Sequence, residues 1–165
     1  MSNAVLKIVT TRDIAHQILR HWSFRFQEFS QRYAEATKFH TDFKARRQDN
    51  KNRQNSIDDM DEETIAWWYQ QQQLVADYTA TVYKAALQRG IAKEMSRKVL
   101  PEGLTETTIY MNGSVRSWMH YLAQRLDAST QKEHRDVAVA CEGVLRENIP
   151  EVFHVDDEAH AQSAN

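Results

Sequence analysis

The side chains best suited to chemistry crowd the stretch RHWSFRFQEFSQRY, residues 20–33, with four basic groups, one acid and five aromatic rings in fourteen positions. A guanidinium fork grips a phosphate, or the imide and carbonyl edge of a base, through two parallel hydrogen bonds. Arg20, Arg25 and Arg32 converging on a pocket therefore point to a nucleotide or phosphate, although each arginine alone is more often a solvated surface group. Glu28 stands among them and either accepts from a ribose hydroxyl or ring N–H, or pairs with an arginine neighbour. Ser30 suits a phosphate or a local cap. Two further basic patches follow, Arg97 with Lys98, and Arg116 with Arg125.

Other chemistries lack their residues. There is no G-x-S-x-G and no catalytic-cysteine signature, and the single Cys141 falls on an apolar helical stripe. The seven histidines contain no H-E-x-x-H or other compact ligand spacing, so a metal site is not expected. Neither a P-loop nor G-x-G-x-x-G occurs, and four glycines are too few for a glycine-rich dinucleotide cradle. A flavin or nicotinamide would have to be held without a Rossmann domain. Arg46, Arg47, Lys51 and Arg53 make a basic cluster, but Asp49, Asp58, Asp59 and Asp61 dilute it, favouring a solvated loop over a nucleic-acid contact. With 21 Lys and Arg against 23 Asp and Glu the net charge is −2, so any anion binding must be local. The lone cysteine fits a reducing cytoplasm, and no apolar run is long enough to span a membrane.

These groups need a frame. At 165 residues and 41% hydrophobic content, one domain is expected over residues 1–153, with residues 154–165 a flexible acidic tail. Residues 5–10 read as a strand. Thr10 or Thr11 then caps a helix with Ile14, Ala15, Ile18, Leu19 and Trp22 as its core face and Gln17, Arg20 and His21 opposite. Residues 38–61 form a long polar excursion. A long helix over 62–89 is expected to bury Ile65, Trp68, Val75, Tyr78, Val82 and Ala86 and to end at Gly90, with a short helix over 91–99 after it. A second strand over 105–111 turns at Asn112 and Gly113. Ser114 caps a helix with a buried stripe of Val115, Trp118, Met119, Leu122 and Leu126 and a polar face of Arg116, His120 and Arg125. Thr130 and Glu133 form a capping box for a last helix with core positions Val137, Ala140, Cys141, Val144 and Leu145. The order predicts a helix-rich α+β fold with a small sheet and no Rossmann domain.

Arg20, His21, Gln27, Glu28, Ser30, Arg32 and Tyr33 match the signature of the flavin-dependent thymidylate synthases, which RHWSFRFQEFSQRY resembles. SRKVLPEGLTETTIYMNGSVRSWMHYLAQRLDASTQKEHR, residues 96–135, resembles the same family's C-terminal block. The resemblance implies a homotetramer with shared active sites. There FAD, reduced by NADPH, and 5,10-methylenetetrahydrofolate convert deoxyuridine monophosphate (dUMP) to thymidylate. It assigns dUMP binding to Gln17, Arg20, Glu28, Ser30, Arg32, Arg97 and Arg125, with Arg125 polarising the uracil ring. Contact with FAD falls to Arg20, His21, Glu28, Ser114, Arg116 and His120. Trp22 replaces an arginine of the signature and Arg25 a serine, and the family's N-terminal helical layer is expected to be missing. A nucleotide-binding remnant without turnover is the alternative these departures leave open.

Overall fold

The computed structural model describes residues 2–53 and 55–153; the expected acidic tail lies outside the described residues. Strand β1 (Asn3–Thr11) and strand β5 (Glu106–Ser114) pair antiparallel along their whole length, from Asn3 opposite Ser114 to Thr11 opposite Glu106. A short strand β2 (Arg25–Glu28) lines the other edge of β5, giving the order β1-β5-β2. Alternation along β5 sends Thr107, Ile109, Met111 and Gly113 inward, as a half-buried strand requires.

Helix α1 (Arg12–Ile18) follows β1 directly and buries Ile14, Ala15 and Ile18. Helix α4 (Val115–Arg125) starts where β5 stops, and Ser114 Oγ accepts from Ser117 N as the expected cap. Helix α5 (Lys132–Asn148) closes the core, and α6 (Pro150–Phe153) adds Phe153 to it. Trp118, Tyr121, Phe24, Met111 and Leu145 are buried together at the centre. Away from this core run a two-stranded ribbon, β3 (Arg47–Gln48) with β4 (Ser56–Ile57), then the long helix α2 (Glu62–Gln88) and the short α3 (Lys93–Ser96). Gly90, at φ 79°, ends the long helix as expected, since this left-handed backbone favours a residue without Cβ.

Several expectations are corrected. Asn112 and Gly113 do not turn the chain; they continue β5, opposite Val5 and Ala4. Gly113 is needed there because a Cβ would overlap the Phe24 ring. Trp22 is 91% exposed, because α1 ends at Ile18 and the chain leaves the helix before the face is repeated. Met119, Ala140 and Val144 also face outward. Glu133 makes no capping box, since Arg46 claims its carboxylate and Gln131 begins the helix without a side-chain cap. The buried face of helix α2 is rotated from the expected one: Gln72, Ala76, Thr79 and Tyr83 are buried and Ile65, Val82 and Ala86 half-buried, while Trp68, Val75 and Tyr78 are exposed.

Candidate functional site

Helix α1 is only seven residues long, so its last turn delivers Gln17 and the chain beyond it delivers Arg20 and His21 at one end of the core. Helix α4 ends at the same place with Arg125, where the helix dipole favours a cation. The first turn of α5 adds His134 from below. Gln17, Arg20, Arg125 and His134 thus line one cavity of about 660 Å³, with His16 and Glu102 on its rim.

Arg125 Nε donates to His21 Nε2 at 2.9 Å. Since a guanidinium only donates, His21 Nε2 must be an unprotonated acceptor, which places the neutral ring's proton on Nδ1. Burial, then the Arg125 charge, hold the His21 pKa below its ordinary value. The ring is walled by Tyr121 at 5.0 Å, Phe24 at 6.4 Å and His134 at 6.3 Å between centroids. With Nε spent on His21, the terminal N–H groups of Arg125 remain to meet a ligand in the cavity.

His134 is almost fully buried, and its Nδ1 lies 3.3 Å from Gln17 Oε1. Burial, then the Arg125 charge and His21 once that ring is protonated, lower its pKa to about 4, so the ring is neutral near pH 7. Its Nε2 and the Tyr121 hydroxyl are buried without a hydrogen-bond partner among the described residues. Cys141 is in the core, as expected, and burial pushes its thiol up to about 12, which makes it a poor nucleophile.

The other expected residues fall into separate places. Glu28, on β2, accepts from Arg12 Nη1 at 3.0 Å and from Thr107 Oγ1 at 3.1 Å, so it takes the paired role that the sequence left as one of two. Arg12 Nη2 lies 3.4 Å from His16 Nε2, and His16 in turn pairs with Glu102 on the cavity rim. Ser30, Arg32 and Arg97 do not line the cavity. Arg32 lies beside α3, where its Nε is 3.9 Å from Glu94 and Lys93 Nζ donates to the Tyr33 carbonyl, and Ser30 Oγ accepts from Arg32 N at 3.4 Å. Arg97 opens the 3-10 turn Arg97–Val99 that follows α3. Ser114 is half-buried at the cap, and Arg116 and His120 are exposed one helical turn apart on α4. In the long loop, Arg47 forks onto Asp59, Lys44 pairs with Asp58 and Arg46 with Glu133, so acids neutralise much of the basic cluster.

Two residues at this site escaped sequence reasoning. Arg12 lies before the signature stretch, and only the pairing of β2 with β5 beside α1 brings Glu28 to it. His134 sits in Q-K-E-H-R without a metal-ligand spacing, and its place beneath Gln17 depends on a contact across 117 residues.

The chain matches the family described as thymidylate synthase complementing protein over residues 1–151. It is 52% identical over 152 residues to the flavin-dependent thymidylate synthase of a Synechocystis strain, covering 92% of this chain and 70% of that protein. It is 46% identical to a probable flavin-dependent thymidylate synthase of Paramecium bursaria Chlorella virus 1, covering 89% and 68%. Among solved structures, the UMP/dUMP methylase PolB of Streptomyces cacaoi, bound with 5-Br UMP, superposes with a TM-score of 0.81 at 20% identity, covering 92% of this chain and 72% of that one. The likeness to PolB shows a shared fold.

Proposed function

The chain belongs to the thymidylate synthase complementing protein family, that of the flavin-dependent thymidylate synthases, and from that premise we propose that it methylates dUMP reductively to dTMP. FAD is the proposed cofactor, NADPH the reductant and 5,10-methylenetetrahydrofolate the one-carbon donor. The observation that carries this reading is the meeting of Gln17, Arg20 and Arg125 in one cavity of about 660 Å³, large enough for a nucleotide.

Within that cavity, Arg125 is the catalytic residue. Its free N–H groups donate to a uracil carbonyl oxygen beside N3 and stabilise the negative charge that develops on that edge as the ring is attacked. A cation fixed by its bond to His21 fills this role without exchanging a proton. Gln17 and Arg20 bind dUMP from the same wall. Ser30, Arg32 and Arg97 bind the phosphate of dUMP, and Glu28, whose Oε1 is held by Arg12 and Thr107, turns its other oxygen to a sugar hydroxyl. Because these two groups of one chain do not share the cavity, we assign them to sites completed between subunits of a homotetramer. The exposed apolar stripe of α2 supports such an assembly.

The donor set fits a flavin nucleotide. Arg20, Arg116 and His120 are exposed basic side chains suited to its phosphates, the Nδ1–H of His21 suits a ring carbonyl, and Ser114 and Glu28 add polar contacts. When bound, the flavin supplies the hydride that completes the methyl group. The chain's own part is to hold both rings, exclude water with Phe24 and Tyr121, and keep His21 neutral. No protein nucleophile is required, in keeping with a core cysteine whose thiol stays protonated. Among the described residues no helix is long and apolar enough to cross a membrane, and a cytoplasmic setting is part of this proposal.

The test is the visible spectrum of the protein after loading with FAD and removal of free cofactor, followed by NADPH oxidation. A retained flavin whose bands shift on adding dUMP, with NADPH oxidation and dTMP formation once folate is supplied, is the expected result. A protein that holds FAD and dUMP yet never forms dTMP supports the inactive remnant, for which the exposed Trp22 in place of a signature arginine is the specific motive.

A further inference from the structure

Five side chains form an unbroken hydrogen-bonded line from the long loop to the cavity. Arg46 Nη2 donates to Glu133 Oε1 at 2.6 Å, and Gln131 Nε2 donates to the other carboxylate oxygen, Oε2, at 3.0 Å. Gln17 Nε2 donates to Gln131 Oε1 at 2.8 Å, and His134 Nδ1 faces Gln17 Oε1 at 3.3 Å. Direction along this line is not free. A guanidinium can only donate and an ionised carboxylate can only accept, so Gln131 must turn its NH₂ toward Glu133 and its carbonyl toward Gln17. Gln17 must then turn its NH₂ to Gln131 and its carbonyl to His134, and His134 must carry its proton on Nδ1.

Three observations agree with that polarity. Arg46 and Glu133 are both mostly buried, with side chains 15% and 16% exposed, and Arg46 Nε is also held by Ser56 Oγ at 2.8 Å. Burial alone would raise the Glu133 pKa, but hydrogen bonds from Arg46, its own backbone N–H and Gln131 bring it below the ordinary value. The buried His134 Nε2 has no partner among the described residues, and an acceptor is tolerated in that condition better than an N–H donor.

We propose that this line is a positioning device: the Arg46–Glu133 ion pair sets the direction of the Gln17 amide, and thereby which atoms of Gln17 the cavity presents to the nucleotide. One N–H and one carbonyl lone pair of Gln17 are consumed by the line, leaving one donor and one acceptor with fixed sides. Gln131, Glu133, His134 and Arg46 are positioning residues that act through Gln17. The inference rests on the reading that Gln17 binds dUMP.

The decisive variant is Glu133→Gln, equal in size but carrying one acceptor and one donor. Arg46 holds the Oε1 side and requires the carbonyl there, so the new NH₂ must face Gln131. Every amide then reverses, Gln17 turns its NH₂ to His134, and the His134 proton moves from Nδ1 to Nε2. Nitrogen-15 NMR of the histidine ring in the full chain near pH 7, without nucleotide, distinguishes the two tautomers. The expected results are Nδ1–H in the wild type, Nε2–H in Glu133→Gln, and dUMP affinity by titration calorimetry weakened about tenfold. Nε2–H in the wild type overturns the proposal without need of any variant, which covers a Glu133→Gln protein that fails to fold. An unchanged tautomer in the folded variant overturns it too, as does a reversed tautomer with undiminished dUMP affinity. A wild type with the assigned tautomer that binds no dUMP at all refutes the nucleotide reading, and with it the purpose of the line, while leaving its direction intact.

Discussion

His134 and Trp22 are opposite cases of what one residue can do at this site. His134 is neutral because burial and the nearby Arg125 charge, joined by His21 once that ring is itself protonated, oppose its protonation, with a folded pKa of about 4 against an ordinary 6.5. Its ring also faces Tyr121, which stays protonated in this range. In the unfolded chain the ring takes up a proton as pH falls through 6.5, while in the folded protein it does so only near 4. Between those values the unfolded state binds more protons, so stability is full above 6.5 and declines toward pH 4, by on the order of 2–3 kcal/mol. Urea unfolding at a series of pH values should show this slope, and His134→Gln should flatten much of it; His21 titrates in the same direction and keeps the remainder. Trp22 is 91% exposed and packs against nothing that a substitution would disturb. Trp22→Arg, which restores the signature's cation beside His21, should leave the unfolding midpoint unchanged and tighten FAD about three- to tenfold through one added charge-assisted contact. Equilibrium dialysis with FAD checks it, and an unaltered affinity would show that the signature arginine has no work to do in this chain.

At the scale of elements, what could be read from the sequence was whatever periodicity and caps encode. The strand before α1, the Ser114 cap of α4, the Gly90 stop of α2 and the core cysteine all follow from local pattern. Strand β2 was hidden because four residues with only Phe26 packed against the core make too short an alternation to see. Helix α2 misled for a different reason. Its buried Gln72 serves the loop backbone, accepting from Phe43 N at 3.2 Å and donating to Phe43 O at 2.8 Å. Hydropathy counts such a residue as outward-facing, although it is buried to satisfy another segment's peptide groups. Of the site, Gln17, Arg20, His21 and Arg125 were legible through the family motif, whereas Arg12 and His134 depend on long-range packing. Gly113 shows how closely one element constrains the site, since β5 leaves space there for the Phe24 ring, which stacks edge-on against Trp118 at 5.0 Å. Gly113→Ala forces that ring aside and should cost about 1–3 kcal/mol in unfolding free energy by overpacking. Phe24→Leu alone opens a cavity, but combined with Gly113→Ala it should recover part of the loss. Additive destabilisation in the double variant would mean that the Cβ meets backbone rather than the ring.

For the whole molecule, the question is what covers the outward face of α2. Trp67, Leu74, Val75 and Tyr78 recur at helical spacing and are 54%, 62%, 46% and 73% exposed, a run of large apolar groups along one side of the longest helix. Burying a side chain of this size is worth roughly 1.5–3 kcal/mol, so the stripe is a strong driving force for association. A second copy is the occupant that also answers the site's geometry, because Ser30, Arg32 and Arg97 stand apart from the cavity that holds Gln17, Arg20 and Arg125. Leu74→Glu combined with Tyr78→Glu places two charges on that stripe without touching the core of the chain. If the parent is the proposed tetramer, sedimentation should then shift toward a monomer, while circular dichroism keeps the helical signal. If sites are completed between subunits, dUMP affinity must fall with the same concentration dependence as the assembly. A variant that dissociates yet binds dUMP as well as the parent would place the whole nucleotide site within one chain. A variant that stays tetrameric would move the interface to another face, and the apolar stripe of α2 would need a different partner.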